Sequence, residues 1–145
     1  MGIRRKSREL VVQAFYALTV AEKRPYLADL QYLSTYQDIL KDLADENGID
    51  YLNKIYVYAD KIMSSMLVKL DEIDEYIKKN LGNYTFEKIG LLELIIMRMS
   101  IYEMFFENTP PEVMINEAVD IAKKFCAEKS PALINAILDK IRIEK

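Results

Sequence analysis

The chain has 145 residues, 51% of them apolar and 30% charged, enough for one domain that buries roughly two thirds of its unfolded surface and too apolar for a disordered tail. It contains no histidine and a single cysteine, Cys126, which excludes an internal disulfide, zinc sites of the Cys/His type and histidine-based acid–base catalysis. A net charge of −3 gives no global attraction to nucleic acid, so any such binding has to come from a local patch.

Four glycines and four prolines leave few loops, and the apolar residues recur at helical steps, so the expected fold is all-α. The first helix covers residues 4–23, with Leu10, Val11, Ala14, Phe15 and Leu18 on its core face. Its basic start (Arg4, Arg5, Lys6, Arg8) and the apolar run behind it resemble a secretion signal, but Glu9 and Gln13 interrupt that run. Arg5, Glu9, Val12 and Tyr16 are spaced by four, three and four, which sets Tyr16 on the side of the basic start, off the main apolar stripe. A ring beside arginines is a stacking platform for unpaired bases, at about 1–3 kcal/mol per base. The plainer reading is a solvated helix start with Tyr16 half-buried in packing. Cations in a first turn oppose the helix dipole and are a poor choice for stability alone.

A linker at residues 23–26, marked by Pro25, leads to a second helix over residues 27–45, with Leu30, Leu33, Tyr36, Ile39, Leu40 and Leu43 on one face and Asn47-Gly48 as its stop. A third helix is expected from about residue 50 towards 70, and DEIDEYIKKN extends it or forms a short fourth. Residues 80–85, with Gly82, make the clearest break, between an N-terminal half of about 1–80 and a C-terminal half of about 85–145. The fifth helix, from 86 or 90 to 106, is apolar nearly all round and should be the central buried element. Glu93, Arg98 and Glu103 within it identify a core helix and not a membrane span. Arg98 needs a carboxylate partner, such as Glu103 or Glu117.

Pro110 and Pro111 stand where a sixth helix begins, with Ile115, Ala118, Val119, Ala122 and Phe125 on its apolar side and Lys123 and Lys124 at its end. Cys126 reads as a small apolar residue at that end. After a turn at 127–129, Ser130 is an N-cap candidate and Pro131 a first helical residue, followed by the stripe Leu133, Ile134, Ile137, Leu138 and Ile141. No phosphate-binding glycine loop, dinucleotide fingerprint or nucleophile with its base is present, and the carboxylates are scattered among lysines. The sequence therefore points to a protein that is not an enzyme and implies no cofactor and no metal.

Several of these stretches resemble the NusB family of bacterial transcription antitermination factors. INEAVDIAKKF, AEKS and the following IN and LDK are similar to its C-terminal segment, and RRKSRELVVQAFYAL to its arginine-rich start. LDEIDEYIKKNLGNY, with Tyr84 where tryptophan is common, and LELIIMRMSIYEM are similar to segments of its second half; residues 25–49 carry no match. The resemblance implies a single domain over residues 1–145, of about seven helices in two packed three-helix subdomains. It implies a cytoplasmic, non-membrane protein that binds boxA RNA together with NusE, a small-subunit ribosomal protein, and helps RNA polymerase resist termination on ribosomal RNA operons. The RNA surface would join Arg4, Arg5, Lys6, Arg8 and Tyr16 to Lys123, Lys124, Lys129 and Ser130, with Glu93 as a contact to NusE.

Four positions depart from the family pattern. Leu133 stands where an aromatic residue is usual, Cys126 and Ala136 where glycine is common, and Lys129 where an acid is frequent. Two other functions fit the residues: an RNA-recognition module that accompanies an RNA methyltransferase, and a helical protein-interaction domain without RNA contacts. Monomer and homodimer are both open, with Phe15, Tyr32 and Tyr58 as apolar residues that either meet a second copy or are packed within the chain.

Overall fold

The computed structural model describes residues 2–22 and 32–145. The linker around Pro25 and the expected beginning of the second helix, with Leu30, lie outside them, as do the side chains of Tyr32 and Leu33. Every regular element among the described residues is helical: α1 (Ile3–Glu22), α2 (Tyr32–Glu46), α3 (Lys54–Leu67), α4 (Leu70–Lys78), α5 (Leu91–Phe106), α6 (Pro111–Phe125) and α7 (Ser130–Arg142), with a 3-10 turn at Phe86–Lys88. The chain forms two compact units, Met1–Val68 and Lys69–Lys145. The division falls before α4, and the break at residues 80–85 lies inside the second unit.

In the first unit α1 packs on both α2 and α3. Leu10, Val11, Ala14, Phe15 and Leu18 are buried as the spacing predicts, and Val12 is fully buried as well, so the covered part of α1 is wider than the apolar stripe. The Ser7 hydroxyl lies 3.0 Å from the Ile55 carbonyl oxygen, and Tyr36 on α2 donates to Asp60 on α3 at 2.8 Å. Gly48 ends α2 with φ +66°, where a side chain would be strained. The third helix begins four residues later than its sequence pattern suggests. Asp50 accepts from the Leu52 amide at 2.7 Å in a local turn, and Asn53 then caps α3 by accepting from the Ile55 amide at 2.8 Å.

In the second unit α5 is the central element, packed against α4, α6 and α7. Its residues from Leu94 to Met104 are all buried, as the lack of any polar face requires. Asp74, on the inward face of α4 with Leu70, Ile73 and Ile77, takes up Arg98. The guanidinium donates through Nε to Oδ1 and through Nη2 to Oδ2, both at 2.8 Å. The sequence offers Glu103 and Glu117 as partners for Arg98; the carboxylate that closes the fork is Asp74 of α4. Asn108 leaves α5 with φ 57°, a conformation asparagine tolerates better than most residues, and Pro111 then opens α6.

Removing Asp74 takes the fork carboxylate away from a fully buried guanidinium. Asp74→Ala is expected to lower the unfolding free energy by about 3–5 kcal/mol in urea titration. Asp74→Leu combined with Arg98→Met should recover most of that loss.

Candidate nucleic-acid interface

The basic start of α1 divides by depth. Arg4 and Lys6 are exposed, Arg5 is partly covered, and Arg8, expected on the RNA surface, is only 5% exposed. Helical spacing explains it: Arg8 precedes Val11, Val12 and Phe15 by three, four and seven residues, and all three are fully buried. Tyr16 is 42% exposed, yet no cation lies over its ring among the described residues. The ring beside the basic start is Tyr58 of α3, whose centroid is 3.4 Å from the Arg4 guanidinium carbon. Nothing local in the sequence linked these two, since they are 54 positions apart. Of the residues named for contact with a second copy, Phe15 is fully buried and Tyr58 lies under Arg4.

In the second unit Lys123 and Lys124 are exposed in the last turn of α6, where cations suit the dipole, and Lys129 is exposed in the turn that follows. Ser130 is different. It is 5% exposed, and instead of capping α7 its hydroxyl donates to Glu93 Oε2 at 2.8 Å. Lys129 occupies the cap position, with no side-chain cap. Glu93, the candidate partner contact, is half-buried in the first turn of α5 and folded back over Gly90, where an added Cβ would meet its Oε1 at 2.7 Å.

Cys126, at the end of α6, completes this cluster. Burial, with the charge and hydrogen bond of the Glu93 carboxylate, pushes its thiol up to about 12. It is therefore protonated and unreactive near neutral pH. One carboxylate thus holds the end of α6 and the beginning of α7 against the beginning of α5, and so anchors the turn that carries Lys129. Its place in the first turn of α5 was a sequence-level sign that it folds back on its own helix; its partners, 33 and 37 residues away, were not legible. Among the described residues no cluster of side chains fits a metal ion, and no helix is long and apolar enough to cross a membrane.

The sequence model of the NusB family matches residues 5–142. A transcription antitermination protein NusB from Nitratiruptor sp. is 33% identical over 144 residues, covering 99% of this chain and 94% of that protein. The chain belongs to the NusB family. Among solved structures, NusB from T. maritima is 27% identical with a TM-score of 0.80, over 97% of this chain and 91% of that one. A chain from the complex of antitermination factors NusB and NusE with dsRNA has the same fold, with 23% identity and a TM-score of 0.80 over 100% of this chain and 99% of that one. The NusB match spans both compact units and includes every candidate site residue except Arg4.

The Glu93 cluster predicts a chemical phenotype. Cys126 should react with iodoacetamide slowly at pH 8, because the neutral thiol is favoured. Glu93→Gln keeps the side chain's size and removes the neighbouring charge, so the folded protein should alkylate faster than the unmodified chain. An unchanged rate would show that the carboxylate does not govern the thiol.

Proposed function

We propose that this chain is a transcription antitermination factor that binds boxA-type single-stranded RNA together with the ribosomal protein NusE, and that it keeps RNA polymerase transcribing through ribosomal RNA operons. Support comes from membership of the NusB family and from relatives that are themselves transcription antitermination proteins. A solved chain of the same fold comes from a complex of NusB and NusE with dsRNA.

The observation that carries the RNA reading is a set of cations without internal use. Lys6, Lys123 and Lys129 are exposed, and none has an ion-pair partner among the described residues. They lie where the family resemblance puts the RNA contacts, in a chain whose net charge is −3. Phosphates are the natural counter-charges for such lysines, and unpaired bases need only an exposed ring to stack on. Arg4, held over Tyr58, supplies a further cation in the first unit. Lys124, exposed at the end of α6, supplies another in the second. Arg5 and Arg8 are more deeply set. NusE is assigned to the second unit, where Glu93 is half-exposed, and the role is one of binding and not of catalysis.

The test is binding of a boxA-like single-stranded RNA, with and without NusE, over a range of salt concentrations. Affinity should rise with the partner and fall with salt at a log–log slope of about −0.7 per phosphate contact. Lys6→Glu and Lys123→Glu should each weaken binding and flatten that slope by at least about 0.7, with the helical circular dichroism unchanged. A chain that binds neither RNA nor NusE at low salt would keep its fold and family and lose this function.

A further inference from the structure

The second unit has a groove of about 310 Å³ between the turn at residues 80–84 and one face of α7. Along α7 the face runs Lys129, Leu133, Ala136, Lys140, at steps of four, three and four, so a lysine stands at each end of an aliphatic floor. Tyr84 and Asn80 line the opposite side. Tyr84 is 59% exposed, and no other ring or cation packs on it among the described residues. The Lys140 amine lies over Gly82, 3.8 Å from where a Cβ would stand.

The charges around this groove are arranged unevenly. Neighbouring cations are matched by carboxylates: Lys79 with Glu144 at 3.2 Å and Arg142 with Glu112 at 2.8 Å. Lys129 and Lys140 have no such partner among the described residues, although the chain has more acidic than basic side chains, 23 against 20. A groove with unpaired ammonium groups at its ends, an open aromatic ring on one wall and an aliphatic floor matches a nucleotide in each part. The ring and floor sandwich the base, and the lysines take the flanking phosphates. Lys129 and Lys140 are 11 positions apart, about 16 Å along the helix, which places them to serve different phosphates. Leu133 offers no ring at the position where an aromatic residue was expected; across the groove, Tyr84 does.

We propose that this groove captures one unpaired nucleotide of a bound single-stranded RNA, with Tyr84 stacking on its base and Lys129 and Lys140 holding the phosphates on either side. The inference rests on the RNA-binding reading above and extends the RNA path from the α6–α7 turn along α7.

The experiment uses the full chain and a boxA-like single-stranded RNA carrying 2-aminopurine at successive positions. In the unmodified protein one position should show fluorescence quenched by stacking. Tyr84→Leu should remove that quenching and weaken binding about tenfold, within the range for one base–aromatic stack. Lys140→Gln should flatten the log–log salt slope by about 0.7. Both side chains are exposed, so thermal melting should be unchanged in each variant. If the unmodified chain binds RNA and both variants match it in affinity, salt slope and quenching, the groove is not a nucleotide site while the RNA function stands. If the variants keep RNA binding and lose the protein partner instead, the groove is a protein-docking surface and the proposal is overturned. If the unmodified chain binds no RNA at low salt, the RNA reading itself fails and the groove assignment falls with it.

Discussion

Inside α5 an arginine stands among residues that are otherwise almost all apolar, and the second unit is built around the way it is neutralised. A guanidinium removed from water needs a carboxylate in fork geometry, and Asp74 provides one through two hydrogen bonds of 2.8 Å. The pair also supplies direction. A helix that is apolar on every side can pack against its neighbours in several rotations with similar burial, whereas a bidentate pair is satisfied in one. Joining α4 to α5 in this way sets the face of α5 on which α6 and α7 must pack.

Glu93 repeats the principle at the beginning of the same helix. Its carboxylate accepts from Ser130 and lies against the Cys126 thiol, so the α6–α7 turn is tied down on both sides. Charge is thus turned inward at Arg98, Asp74 and Glu93, while Lys123, Lys124 and Lys129 remain outside on an anchored support. Fixed cations of this kind lose less conformational freedom on meeting a phosphate than cations on a loose loop. An acidic protein can therefore bind a polyanion at selected places without being attracted to it everywhere.

Much of the architecture was legible because helix formation leaves local marks. The apolar stripe of α1, the Asn47-Gly48 stop, the all-round burial of α5 and the two prolines at the beginning of α6 each predicted what the structure contains. Helix starts were harder where side-chain caps compete. Asp50 and Asn53 both accept backbone hydrogen bonds, and the second, not the first, begins α3. At Ser130 the sequence offered a cap and the fold used the hydroxyl for a distant carboxylate. As a cap the hydroxyl would accept from a backbone N–H; packing instead brings a carboxylate within reach, and the hydroxyl donates to it.

Periodicity and residue chemistry were sufficient for the helical class, the order of the helices and the presence of cations in a chain of net charge −3, and the resemblance of whole segments was sufficient for the family. Long-range packing settled which of those cations face water. It placed Arg8 inside, laid Arg4 on Tyr58, gave Arg98 to Asp74 and left Lys140 beside the exposed ring of Tyr84 in one groove. The reason is geometric. A repeat of 3.6 residues tells which side chains share a face of a helix, but what that face meets depends on residues tens of positions away, whose approach is set by how the helices pack.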